Sequence, residues 1–168
     1  GPLPVTVDRH RYCLLYVDVM TSVSWPYFTR AKSDFVSTLQ PFMTDVGKPK
    51  TLRSDRAPDL MAGRLRALTD KLGIRREVTA RASPFQNGKC ERALATLLTD
   101  ARTMLIDGEM PKSFWAYAVK AASQSRNLAI ITGVTDDDLR EQLCQLCRLP
   151  DPERFRRMFC QAVVTDPK

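Results

Sequence analysis

The sequence contains one histidine, His10, in 168 residues. A zinc centre of paired His and paired Cys cannot be assembled from it, and no zinc is expected. Cys144-x-x-Cys147 resembles half of such a site, but no second pair follows at suitable spacing. On a leucine-rich helix both read as small apolar core residues. No apolar run approaches the ~20 residues that span a bilayer, which excludes a membrane-crossing helix. The start, Gly1-Pro2-Leu3-Pro4, lacks the basic-then-apolar pattern of a signal peptide. It also lacks an initiator Met, so the sequence reads as a fragment, a processed product or a tagged protein, with Gly1-Pro2 readable as a cloning scar. The five cysteines, Cys13, Cys90, Cys144, Cys147 and Cys160, are odd in number and irregularly spaced. That argues for reduced thiols in an intracellular protein and against a disulfide framework. There is no internal repeat and no low-complexity segment.

What is present is the composition of one soluble globular domain, 43% hydrophobic and 27% charged. The net charge is +7, and it is uneven. Residues 136–168 carry 6 basic and 7 acidic side chains, whereas residues 1–135 carry 20 and 12. A basic body suits a polyanionic partner, because each neutralised phosphate releases counterions; a solvated basic surface is the bland alternative.

Periodicity gives the order β-β-α-β-α-β-α-α, a mixed sheet flanked by helices. Arg11–Val19 is nearly continuous in apolar residues and predicts a central strand. Val23–Thr29 predicts its antiparallel neighbour, placed near an edge by Pro26. Ser33 is positioned to cap a helix carrying Phe35, Leu39, Phe42 and Val46, which Pro41 should kink or shorten and Gly47 should stop. Lys50–Ser54 and Ile74–Thr79 read as strands around a helix bearing Leu60, Leu65, Leu68 and Leu72. Residues 81–88 read as a loop. A long helix is predicted over 89–106 with Leu94, Leu97, Leu98, Ala101, Met104 and Leu105 on one stripe. The next starts at Pro111 with Phe114, Ala118, Ala121 and Leu128 inward. Residues 1–131 form the main unit. Residues 132–168 read as a helical appendage, with helices over 136–149 and 153–162.

Three acids stand out. Asp18 sits in an apolar strand, where an ionised carboxylate is costly unless paired or metal-bound; alone it equally suits a strand-end Asp reaching solvent. Asp55 ends a strand, where a turn or cap is the ordinary use. Glu91 lies near the start of the long helix, at the margin of its apolar stripe. Together they can converge at one sheet edge. Three close carboxylates repel, and two divalent metals about 3.5–4 Å apart resolve that repulsion. Hard oxygen ligands select Mg2+ or Mn2+.

The segments YCLLYVDV, KTLRSDRA and SPFQNGKCER, with GPLP, RAKSDF and MPKSFWAYAV in support, resemble in order and spacing the integrase catalytic core of copia-type LTR retrotransposons, within the retroviral integrase superfamily. The likeness covers roughly residues 1–130, and on it GPLP is native. It implies a ribonuclease-H-like fold, with Asp18, Asp55 and Glu91 holding two Mg2+ or Mn2+ ions. It implies processing of DNA 3′ ends and their joining to target DNA, with a mobile loop at Ser83–Gly88. Arg53, Arg56, Gln86, Asn87, Lys89 and Arg92 are then the candidate nucleic-acid contacts. Element ends and target DNA are the implied partners, a homodimer or higher oligomer the implied assembly, and the nucleus the implied compartment. Several positions depart from the family pattern: Ala57-Pro58-Asp59-Leu60 after Asp55, Ala93-Leu94-Ala95 after Arg92, Pro41, and everything beyond residue 132. They support an alternative, a degenerate or recruited integrase fold that binds nucleic acid without catalysis. A ribonuclease H acting on RNA–DNA hybrid is disfavoured, because His10, the only histidine, precedes the first strand.

Overall fold

A computed structural model of the chain describes residues 2–54, 63–78 and 84–147. The elements run β1 (Tyr12–Val17), β2 (Ser24–Thr29), a 3-10 turn (Lys32–Thr38), α1 (Leu39–Val46), β3 (Thr51–Ser54), α2 (Gly63–Leu72) and β4 (Arg75–Val78). They continue with α3 (Pro84–Asp107), a second 3-10 turn (Lys112–Phe114), α4 (Trp115–Thr132) and α5 (Asp137–Cys147). This is the predicted order. The helix expected over 153–162 lies outside the described residues.

The strands differ from the single mixed sheet expected of them. Among the described residues they form two two-stranded sheets, β1–β2 and β3–β4. β1 and β2 are antiparallel, with Leu15 opposite Pro26; β3 and β4 are parallel, with Arg53 opposite Glu77. The Asp18 N–H donates to the Val23 carbonyl at 2.9 Å. By antiparallel alternation, Cys13, Leu15 and Val17 then direct their backbone groups away from β2. That second edge is met by the N-terminal segment and by a side chain: Leu3 N–H donates to the Arg11 carbonyl at 2.8 Å, and the Cys90 thiol to the Leu15 carbonyl at 3.5 Å.

On β2 the outward backbone groups belong to Ser24, Pro26 and Phe28 by the same alternation. Asn127, from α4, pairs with Ser24 as a strand would. Its Oδ1 accepts the Ser24 N–H at 2.9 Å, and its Nδ2 donates to the Ser24 carbonyl at 2.8 Å. Ser123 adds a hydroxyl bond to the same carbonyl at 2.9 Å. All three residues are buried, so these bonds satisfy groups that would otherwise be costly.

α3 packs along its predicted stripe, whereas α4 buries a face that only partly coincides with the predicted one. Leu97 and Ala101 of α3 are buried, and Leu94, Leu98, Met104 and Leu105 lie partly buried against the core. Leu39 and Phe42 are buried with Leu65 and Ile74, under an aromatic layer in which Tyr16 stacks on Phe42 at 4.2 Å between ring centroids. Pro41 falls in the first turn of α1, where its missing N–H has no helical partner. The 3-10 turn before it carries the rest of the predicted helix. On α4 the buried line is Trp115, Ala118, Val119, Ala122 and Ile131; Phe114, Ala121 and Leu128 are only partly buried. Leu143, Cys144 and Cys147 of α5 join the cluster of Val23 and Ile131, the core role expected of the two cysteines.

Two boundaries need correction. Ser33 does not cap the first helical segment: the Asp34 carboxylate accepts the Ala31 N–H at 3.1 Å, one position later. Residues 84–88 are not loop, because α3 begins at Pro84. Proline's fixed φ and absent donor suit the first turn of a helix, and here they outweigh the turn signals of Asn87 and Gly88. Residues 79–83 lie outside the described residues.

Candidate active site

Asp18 directly follows β1 and opens the turn into β2. The turn is closed by its own backbone, with the Ser22 N–H on the Asp18 carbonyl at 2.9 Å. The Asp18 carboxylate reinforces it. Oδ2 accepts the Thr21 N–H at 2.7 Å and the Thr21 hydroxyl at 2.6 Å. The sequence signal for this is Asp-x-x-Thr, a side chain bonding backbone a few positions on, which the reading of Asp18 as a strand carboxylate passed over. Among the described residues Oδ1 accepts no hydrogen bond, so one oxygen of Asp18 remains uncommitted.

The first turns of α3 lie over this end of β1. The Lys89 ammonium donates to the Val19 carbonyl, and Cys90 reaches Leu15. Cys90 and Ala93 pack with Val17 around Leu15 and Leu97. Glu91, between these anchors, is exposed. The helix that carries it is therefore fastened beside Asp18, on the residues flanking that acid. Arg92 folds back along α3: a Cβ added to buried Gly88 would meet its Nη1 at 3.0 Å.

Asp55 follows the last residue of β3, Ser54, and lies outside the described residues, as does Arg56. Gln86 and Asn87 fall in the opening turn of α3, and their side chains also lie outside the description. Arg53 is engaged: it pairs with Glu77 across β3–β4, with Nη2 at 2.8 Å and Nε at 3.2 Å from the same oxygen. That hydrogen bond, with the nearby guanidinium charges, lowers the Glu77 pKa below the usual carboxylate range. Among the described residues no three His, Cys, Asp or Glu side chains form a metal-binding group. The donors that are described, an uncommitted oxygen of Asp18 and the exposed carboxylate of Glu91, are hard oxygens of the kind that suits Mg2+ or Mn2+.

Among the described thiols, Cys13 and Cys147 are poorly suited to nucleophilic chemistry. Cys13, Cys90, Cys144 and Cys147 are not disulfide-bonded. Burial, with a smaller contribution from Cys90, pushes Cys13 up to about 12. Burial and then Cys144 push Cys147 up to about 11. Thiols held so far above neutrality are poor nucleophiles at pH 7. No described helix is long and apolar enough to cross a membrane.

No protein-family model matches the chain. Among curated proteins, it is 30% identical over 128 residues to the retrovirus-related Pol polyprotein from transposon TNT 1-94 of Nicotiana tabacum, a match covering 73% of this chain. It is 28% identical over 126 residues to the corresponding polyprotein from transposon RE2 of Arabidopsis thaliana, covering 70%. These matches span only 10% and 8% of the two relatives. Among solved structures, the integrase catalytic core domain of HTLV-2 in complex with magnesium matches with a TM-score of 0.60 at 16% identity, covering 82% of this chain and 88% of that one. The simian T-cell lymphotropic virus intasome in complex with PP2A regulatory subunit B56 gamma matches with a TM-score of 0.65 at 20% identity, covering 90% and 58%. The chain is thus related in sequence to a segment of plant transposon Pol polyproteins and has the ribonuclease-H-like fold of retroviral integrase catalytic cores, which together support an integrase core of an LTR retrotransposon.

Proposed function

We propose that the chain is the core of a polynucleotidyl transferase that processes DNA 3′ ends and joins them to target DNA. The observation that carries this reading is the fastening of the start of α3 over the end of β1, through Lys89 on the Val19 carbonyl and Cys90 on the Leu15 carbonyl. It brings the helix bearing Glu91 to the strand end bearing Asp18. Asp55, next after Ser54 of β3, is the third acid of the set. Asp18, Asp55 and Glu91 would hold two divalent cations, which supply charge neutralisation at phosphorus and activation of the attacking oxygen. The chain's own residues do the rest. Thr21 holds one oxygen of Asp18 and so orients the other. Lys89, Arg92, Arg56, Gln86 and Asn87 meet the DNA backbone or base edges, and the basic body attracts DNA. Arg53 contributes to that field as a partner of Glu77. The HTLV-2 core was solved with magnesium in trimeric and dimeric forms, which supports Mg2+ and self-association as working expectations for this chain. Its setting is then the nucleus.

The test is Mn2+ binding by calorimetry, alongside strand transfer or its reversal on a branched oligonucleotide. Asp55→Asn and Glu91→Gln should each lower turnover on the order of 100-fold or more, since charged groups at a transferring phosphoryl centre carry effects of that size. Wild-type rates in both variants would sink the catalytic reading.

One observation favours a second reading. The two Thr21 bonds give Asp18 a role in the turn that is independent of metal. If that is its whole role, the fold is a nucleic-acid-binding module without catalysis. Salt-dependent DNA affinity that survives neutralisation of all three acids, with no turnover in the wild type, selects this reading.

A further inference from the structure

The turn between β1 and β2 is unusually well held for an exposed connection. Both feet are fixed: Asp18 and Val23 pair through backbone, and Val23 is fully buried. Inside the turn the Ser22 N–H bonds the Asp18 carbonyl, and Thr21 places two bonds on the Asp18 carboxylate. The Val23 N–H reaches the Thr21 hydroxyl at 3.3 Å. Ser22 sits at φ 69°, a conformation a non-glycine residue keeps only when its surroundings hold it. From outside, Lys89 grips the Val19 carbonyl. This frame presents two adjacent apolar side chains to solvent, Val19 at 61% exposure and Met20 at 89%.

Single exposed apolar residues need no explanation, and Ile106 and Leu139 on helix faces are of that ordinary kind. Val19 and Met20 differ in their setting. They stand at the tip of a preformed turn, beside the cationic Lys89 of α3 and adjacent to Asp18. A polar turn would satisfy the same hydrogen bonds, so folding gives no reason for the apolar pair. Apolar wedges flanked by cations are how proteins open a base step while holding the neighbouring phosphates, and unbranched, polarisable methionine is among the side chains used for it.

We propose that Val19–Met20 is a DNA-contacting wedge, inserted at a base step of duplex DNA while Lys89 and Arg92 hold the adjoining backbone. The proposal rests on the polynucleotidyl transferase reading and adds to it the residues that sense how easily target DNA deforms. Pre-organisation matters here: a tip already fixed by Asp18, Thr21 and Lys89 enters the step without first losing conformational freedom.

The test uses the full chain and 2-aminopurine duplexes, one fully paired and one with a single mismatched step. Wild-type protein should raise 2-aminopurine fluorescence on binding, and should prefer the mismatched duplex on the order of tenfold, because that step costs less to unstack. Met20→Ala should abolish both effects and leave the salt dependence of binding unchanged, since phosphate contacts remain. Ile106→Ala is the control: Ile106 is 71% exposed but lies fifteen residues beyond Glu91 along α3, roughly 22 Å away at helical rise. Its variant should behave as wild type. Equal fluorescence and preference in wild type and Met20→Ala, or an equal loss in Ile106→Ala, overturns the wedge and leaves the transferase reading standing. Absence of any DNA binding overturns both.

Discussion

The two strand pairs of this domain are built on different physics. β1–β2 is six residues long on each side and antiparallel, and it is packed by Leu97 and Ala122 on Leu15 and by the Tyr16–Phe42 stack. β3–β4 is four residues long on each side and parallel, and it is stitched on its exposed side by Arg53 and Glu77. The first pair rests on apolar burial and satisfied buried polar groups. The second carries exposed charge, and Asp55 follows directly from it. Rigidity is thus concentrated in the pair that sets the scaffold. The pair that Asp55 follows in the sequence adds an exposed ion pair that solvent screens.

The contrast can be broken from its strong side. Leu97→Ala, at 1% exposure under β1, should cost about 2–5 kcal/mol in denaturant unfolding, the range for a large-to-small core change. A loss well below that would mean that β1 does not depend on α3 for its packing. Asn127→Ala comes next. It leaves the buried Ser24 N–H without its partner, while the Ser24 carbonyl keeps the Ser123 hydroxyl; the orphaned donor costs roughly 1–3 kcal/mol, less whatever entering water restores. Hydrogen exchange should locate the loss at Ser24; faster exchange confined to β4 would contradict the assignment.

The weak side predicts the smallest effect, and its sign is fixed. The folded-state pKa of Glu77 is lowered, so its contribution is present above the unfolded carboxylate pKa and lost as pH falls through the folded value. Glu77→Gln should therefore reduce stability slightly at pH 7 and not at strongly acid pH, most visibly at low salt. A larger deficit at acid pH than at neutral pH would show that the pair does not work as drawn.

The sequence disclosed those features that depend on local period. The spacing of Leu39, Phe42 and Val46 and the leucine stripe of α3 are written in single segments, and so is the start of α5, where Asp136 accepts the Leu139 N–H at 3.0 Å. What stayed hidden depends on partners far away in the chain. Nothing near Ser24 announces that Asn127, more than a hundred residues on, will complete its hydrogen bonds. Nothing near Lys89 announces Val19. The start of α3 was misplaced because Pro84 carries two meanings, loop former and helix opener, and only the packing of the following turns selects one. The grouping of Asp18, Asp55 and Glu91 was proposed from their spacing and from resemblance, and Asp55 lies outside the described residues. The turn role of Asp18 was local but was obscured by the apolar strand before it.

The outer edge of β2 has a consequence for how copies of this chain behave when crowded. Strand-to-strand growth needs a free ladder of donors and acceptors. Here Ser24 is already occupied by Asn127, and Pro26 has no N–H to offer. Along that side the ribbon offers no continuous ladder on which another strand could be templated.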